Sequence, residues 1–232
     1  MTTIRFDAVS HRYGDRSVLR GLDLALTEHR IGIVGANGSG KSTLARMING
    51  LVQPTSGTVT VDGLDVARHG RQVRARVGFV FTDADTQIVM PTVAEDVAFS
   101  LKRSGLDKQE IAARTQQALH RFGIGDLADH PAHLLSGGQK QLLALAAVLV
   151  REPQIVVADE PTTLLDLRNA RLIGALLAEL PQQVVVVSHD LELVAGFDRV
   201  VVIDDGRIAC DDVPGVALPF YRALADENAR RP

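Results

Sequence analysis

The chain has 232 residues, 46% hydrophobic and 23% charged, with a net charge of −3. That length suits one sizeable domain, or a core with an inserted part, and the slightly acidic balance argues against bulk nucleic-acid binding. The single cysteine, Cys210, excludes a disulfide framework and fits a reducing compartment.

Residues 1–7 carry no signal-peptide pattern, and residues 4–34 are predicted as strands joined by turns. Arg30-Ile31-Gly32-Ile33-Val34 is an apolar run that predicts a buried strand. Gly35-Ala36-Asn37-Gly38-Ser39-Gly40-Lys41-Ser42-Thr43 follows, with a predicted helix from Leu44. This is the P-loop pattern G-x-x-x-x-G-K-[ST] in its required strand–loop–helix context. Its glycines let the backbone turn its N–H groups inward on phosphate, and the helix N-terminus adds partial positive charge. Asn37, Gly38, Ser39, Gly40, Lys41, Ser42 and Thr43 are therefore candidate nucleotide-binding residues, the loop alone not selecting among kinases, GTPases and ATPases. Lys41 is expected to reach the β- and γ-phosphates, and the Ser42 hydroxyl to ligate Mg²⁺.

Residues 57–81 are predicted as further strands with turns. Helices are predicted from Thr92 to Phe99 and from Lys108 to Phe122. Leu135-Ser136-Gly137-Gly138-Gln139 then opens another helix. Ser136 suits an N-cap, and the two glycines leave the backbone bare. This is a second helix N-terminus able to hold phosphate, in a chain with one lysine-bearing loop. The economical arrangement is a head-to-tail dimer in which each P-loop is covered by the partner's Ser136 segment. The longest apolar stretch, 142–150, is too short to span a bilayer, so any membrane role is expected to need a partner.

Ile155-Val156-Val157-Ala158 predicts a buried parallel strand ending in Asp159-Glu160. Two adjacent carboxylates suit a cation: Asp159 for the Mg²⁺ shell, Glu160 to polarise an attacking water as general base. A last strand, 184–187, leads into Ser188-His189-Asp190, and residues 200–208 predict a hairpin.

These motifs, in this order, resemble the ATP-binding cassette family along nearly the whole chain. The resemblance implies an α/β fold: a P-loop ATPase core with a doubly wound, mainly parallel sheet, an antiparallel β subdomain and a helical subdomain. It implies one cassette over residues 1–232. Its core spans about 1–87 and 153–212, its helical part with the signature motif about 88–152, and a short tail 213–232. Tyr13 matches the aromatic that stacks on adenine. Ser136, Gly137, Gly138 and Gln139 match the signature motif. Leu165-Asp166 matches the dimer-contact loop, with Leu164 and Leu167 where the family has glycine and proline. His189 matches the histidine that senses γ-phosphate, joining Glu160 and Lys41 as catalytic candidates.

One departure concerns the loop Val80-Phe81-Thr82-Asp83-Ala84-Asp85-Thr86-Gln87. The family has glutamine directly after the strand aromatic, and here that position is Thr82. Its hydroxyl is expected to join Ser42 and Asp159 around Mg²⁺ at shorter reach. Gln87 is the other candidate. Without the family's proline, residues 83–85 are expected to be mobile enough to let Gln87 swing in.

Residues 85–99, with Thr92-Val93-Ala94-Glu95-Asp96-Val97-Ala98-Phe99, resemble the ATPases of energy-coupling-factor transporters, and residues 159–169 look most like biotin-type members. This implies a peripheral ATPase on the cytoplasmic face of a membrane. It would pair with itself or a closely related ATPase, beside a transmembrane coupling subunit and a substrate-binding membrane subunit, with no nucleic-acid partner. Cobalt or nickel uptake, another transporter, or a soluble non-transport ATPase are the alternatives. No long coiled coil separates residues 43 and 135, which weighs against the DNA-repair kind.

Overall fold

Five strands run parallel through the middle of the molecule because their sequences are near-continuous apolar runs with polar residues only at their ends, and burial on both faces accommodates that. The computed structural model describes residues 2–229; residue 1, in the start free of a signal-peptide pattern, and residues 230–232 of the expected tail lie outside the described residues. Ten strands and eight helices follow in order. β1 (Ile4–Tyr13), β2 (Arg16–Leu26) and β3 (Arg30–Val34) precede α1 (Lys41–Ile48). β4 (Ser56–Val61), β5 (Leu64–Asp65), α2 (Gly70–Arg76) and β6 (Val77–Val80) come next. The helices α3 (Val93–Leu101), α4 (Lys108–Arg121) and α5 (Gly137–Leu149) form a block. β7 (Ile155–Asp159), α6 (Leu167–Glu179), β8 (Gln183–Val187), α7 (Leu191–Val194), β9 (Arg199–Asp204), β10 (Arg207–Asp212) and α8 (Pro214–Ala229) close the chain.

The six-stranded sheet has the order β10-β9-β3-β8-β7-β6. Only β10, hairpinned to β9, runs antiparallel. Alternation along each strand divides two cores. On β7, Val156 and Ala158 face the core built with α3, α4, α5, α6 and α8, while Ile155 and Val157 face the core shared with α1 and the second sheet. β8 divides the same way, Val184 and Val186 against Val185 and Val187. The second sheet, β2-β1-β4-β5, is antiparallel throughout. The fold is thus the expected α/β architecture.

Two segments differ from the sequence reading. Residues 70–76, expected within strands and turns, form α2. Arg71, Gln72, Arg74 and Arg76 are straight-chain helix formers, and only Val73 of this helix is buried. Residues 213–229 hold α8, which lays Ala217 and Leu218 into the first core. Its helical spacing is blurred by Pro219. The three helices of the block start on reciprocal capping boxes, Thr92 with Glu95, Asp107 with Glu110 and Ser136 with Gln139, which satisfy N–H groups the helix itself cannot.

Arg30 ties the N-terminal end of β3 to the loop after α6. Its buried guanidinium donates to the carbonyls of Ala178, Leu180, Gln182 and His29, and Asp198 accepts its backbone N–H at 2.7 Å. Burial pulls its pKa below the ordinary arginine value, and Asp198 opposes the shift. Replacing the side chain orphans several carbonyls at once. Arg30→Met is expected to destabilise the fold by about 1–3 kcal/mol, read as a lower urea midpoint at unchanged slope.

Candidate functional site: a phosphate cradle with paired carboxylates

The C-terminal ends of β3, β7 and β8 lie side by side because β8 sits between β3 and β7. The loops leaving those ends therefore share one crevice, where open α/β sheets hold their ligands. Residues 35–40 leave β3, Asp159-Glu160 end β7, and Ser188-His189 follow β8.

The loop wraps tightly at Gly40, the residue before α1. Its φ is 109°, and a Cβ there would lie 2.6 Å from Leu19 Cδ2. Only glycine fits both demands. Lys41 folds back into the loop, donating to the carbonyls of Gly35 at 2.8 Å and Ala36 at 2.9 Å. Burial pulls its ammonium below the usual lysine value, against the opposing pull of Glu160 and Asp159. The loop is braced from behind: the Gly206 N–H, at the β9–β10 turn, donates to the Ser39 carbonyl at 3.1 Å.

Asp159 is fully buried, and both carboxylate oxygens are paired. The Ser42 hydroxyl donates to Oδ1 at 2.7 Å, and Arg46 Nη2 meets Oδ2 at 3.2 Å. The Thr82 hydroxyl donates to the Asp159 carbonyl at 2.8 Å. Ser42, Asp159 and Thr82, the three expected metal-shell residues, are thus brought together. A hydroxyl and one carboxylate are too few to cage Mg²⁺ alone. They fit an ion that arrives with most of its ligands supplied by phosphate and water.

Glu160 has φ 53°, a region that costs a non-glycine residue of order 1–3 kcal/mol. Its backbone N–H donates to the Val187 carbonyl at 2.9 Å, which holds the strained turn against β8. Oε2 accepts the Thr163 hydroxyl at 2.9 Å and lies 2.8 Å from His189 Nδ1. No hydrogen bond engages Oε1 among the described residues, so that oxygen is free to take a proton from water. Tyr13 stands at the end of β1, half exposed, with its ring edge-on to His11 at 4.5 Å between centroids.

Ser136, Gly137, Gly138 and Gln139 sit elsewhere. Ser136 accepts the Gln139 N–H, and Gln139 accepts the Ser136 N–H at 2.8 Å. Gly138 lies against α6, where a Cβ would come 2.5 Å from Asn169 Cγ. Among the described residues no hydrogen bond or ion pair joins this segment to residues 35–43. Leu134, Leu164 and Leu167, close to it in the chain or around the start of α6, are 65–71% exposed.

Residues 83–85, expected to be mobile, make local contacts in this structure. Asp83 caps a 3₁₀ turn over Ala84–Thr86, and Lys140 pairs with Asp85 at 2.7 Å. Gln87 does not swing toward the crevice. Its Oε1 accepts the Phe81 N–H at 3.2 Å, and its Nε2 donates to the Phe79 carbonyl at 3.3 Å, so it ties off the end of β6. The loss of a proline loosens a loop only when nothing else holds it. Arg46, Thr163 and Lys140 were missed in the sequence. Arg46 alone was signalled, four residues after Ser42 and so on the same helix face.

A family model described as "ABC transporter" matches residues 19–163. The biotin transport ATP-binding protein BioM of Rhizobium etli is 48% identical over 96% of this chain and 99% of its own length. The energy-coupling factor transporter ATP-binding protein EcfA1 of Caldanaerobacter subterraneus is 40% identical, over 85% of this chain and 74% of its own. The solved structure of cbiO1 from Clostridium perfringens, part of the ABC transporter complex cbiONQ, superposes with a TM-score of 0.83 at 32% identity, covering 98% of this chain and 94% of that one. The chain belongs to the ABC transporter family, as an ATP-hydrolysing subunit similar to those of energy-coupling-factor transporters.

The hydrogen bonds of residues 82 and 87 give different expectations for the two. Gln87→Leu leaves the Phe81 N–H and Phe79 carbonyl unpaired and is expected to cost about 1–3 kcal/mol of stability. Thr82→Val removes one hydrogen bond and is expected to cost about 1 kcal/mol. Urea unfolding of both variants checks the order.

Proposed function

We propose that this chain hydrolyses Mg-ATP as one half of an ATPase pair and so powers an importer of the energy-coupling-factor type, with biotin as the substrate class. Residues 35–43 hold the phosphates, Lys41 leaving the Gly35 and Ala36 carbonyls to meet them. Tyr13 offers its exposed ring to adenine. Ser42 and Asp159 would hold Mg²⁺ with the phosphates, with Thr82 beside them, and the bound ion would supply charge neutralisation on the phosphates. Glu160 accepts the proton of the attacking water on its free Oε1. His189, bonded through Nδ1 to Glu160, offers a phosphate a hydrogen bond from Nε2 only as the imidazolium, or after leaving Glu160.

The observation that carries the pairing is the separation of two phosphate-binding helix starts on one chain. Gly137 and Gly138 present a bare N-terminus of α5 beside exposed leucines, and a second copy or a close relative would bring it over the P-loop. Ser136, Gly137, Gly138 and Gln139 would then complete the site across the interface.

One cleft supports a seat for the membrane partner. A cleft of about 310 Å³ is lined by Arg74, Phe79, Gln87, Val89, Phe99 and Arg151. Val89 is 63% and Phe99 47% exposed, and buried Asp96 fixes the loop by accepting the Val89 and Met90 N–H groups. A short amphipathic helix from a transmembrane subunit fits this mixture of apolar walls and arginines. No helix among the described residues is long and apolar enough to cross a membrane. The chain would work on the cytoplasmic face of the membrane that holds its partners.

Glu160→Gln is expected to retain ATP binding and to lower turnover by about 10²–10⁴-fold, the usual range for a lost general base. Near-normal turnover would remove Glu160 from that role. Lys41→Ala is expected to weaken ATP binding in calorimetry as well as turnover, because its charge meets phosphate before reaction begins. For the substrate, cells carrying the complete complex are expected to accumulate labelled biotin and to stop when Glu160→Gln is introduced. A purified complex that carries cobalt, nickel or another small molecule instead would reassign the cargo.

A further inference from the structure

β1 and β2 meet in a tight hairpin at Gly14 and Asp15, so Tyr13 and Arg16 are direct cross-strand partners. That register places an arginine beside the ring proposed for adenine. The side chain runs toward the phosphate cradle. Arg16 Nη2 lies 3.2 Å from where a Cβ on Gly38 would stand, against the bare backbone of the P-loop.

The other arginines around this crevice are committed. Arg12 donates to the Asp15 carbonyl at 3.0 Å, Arg20 pairs with Asp205 at 2.8 Å, and Arg46 with Asp159 at 3.2 Å. The Arg16 side chain forms no ion pair or hydrogen bond among the described residues. It is an exposed cation without an anion, held next to a loop built for a polyanion. Gly38 leaves it room: with φ 79° the loop turns there, and any side chain at 38 would press on the guanidinium. A guanidinium forks two N–H donors in one plane, which suits phosphate oxygens better than the point charge of lysine.

We infer that Arg16 is a nucleotide-binding residue that grips the phosphate chain between the adenine platform of Tyr13 and the P-loop turn at Gly38. This rests on residues 35–43 being the ATP site, and it adds a contact from the antiparallel sheet to those made by the loop. Because Arg16 is exposed, its contribution is Coulombic and open to screening. It acts on affinity. Glu160 and His189, which would face the reacting end, keep the turnover of bound ATP.

The test is calorimetry of a non-hydrolysable ATP analogue with the full-length chain, comparing wild type, Arg16→Gln and Arg16→Lys, with thermal midpoints taken in parallel. Arg16→Gln keeps a polar side chain, shorter by about two heavy atoms, but removes the charge. It is expected to bind about tenfold more weakly at low salt, the loss of one charge-assisted hydrogen bond. The deficit is expected to shrink to about threefold or less at high salt. Arg16→Lys is expected to lie between the two. Wild-type binding with unchanged affinity in Arg16→Gln would overturn the inference. So would a salt-insensitive loss accompanied by a lower thermal midpoint, which would make Arg16 a brace of the hairpin. A wild-type chain that fails to bind the analogue would overturn the ATP site itself.

Discussion

A fully buried carboxylate must be paired or it will not stay charged, and Asp159 is the point at which the rest of this site is arranged to meet that demand. α1 supplies two partners one turn apart, Ser42 and Arg46, and β6 sends Thr82 to the carbonyl of the same residue. The helix after the P-loop, the strand carrying the acids and the loop toward the helical block are thereby fixed to one another through a single side chain and its backbone. Separating α1 from β7 would strand a charge in a dry interior, and moving the loop would break the Thr82 bond to the Asp159 carbonyl.

The next residue carries a different constraint. Glu160 is held in a strained backbone conformation by its N–H bond to Val187 and by side-chain bonds to Thr163 and His189. Strain of this kind persists only where neighbours over-determine it. The result is a carboxylate with one oxygen tied and the other open, aimed from β7 while the histidine comes from β8. Neighbouring strands thus deliver two titratable groups to hydrogen-bonding distance without either needing a long side chain to search for the other. The proposed division of roles, base and phosphate sensor, uses that shared geometry.

The helical block stands on its own logic. Its three main helices begin on capping boxes, so their starts are set locally, and its apolar faces close one side of the central sheet. Lys140 on α5 holds the turn at Asp85, and Gln87 on that turn holds the end of β6. The block is therefore linked to the ATP crevice by polar contacts along residues 81–87.

Much was legible in the sequence because its signals are local. The P-loop, the apolar strands 30–34, 155–158 and 184–187, the cap at Ser136 and the hairpin near 200–208 each follow from residue types at fixed spacing, since backbone geometry and burial on both faces demand them. The acids after β7 and the histidine after β8 were located by the strands they end. What stayed hidden was set by partners distant along the chain. Residues 83–85 lack the family's proline, and the pairing of Asp85 with Lys140 could not be read from their sequence. Gln87 looked free, yet two main-chain groups capture it. The helix α2 was masked by its scant burial and α8 by Pro219. Local pattern determined which elements form and which chemistry they carry. Tertiary packing alone decided which oxygen of Glu160 is open, which cation meets Asp159 and which arginine is left without an anion, because pairing of charges depends on distances that the order of residues does not contain.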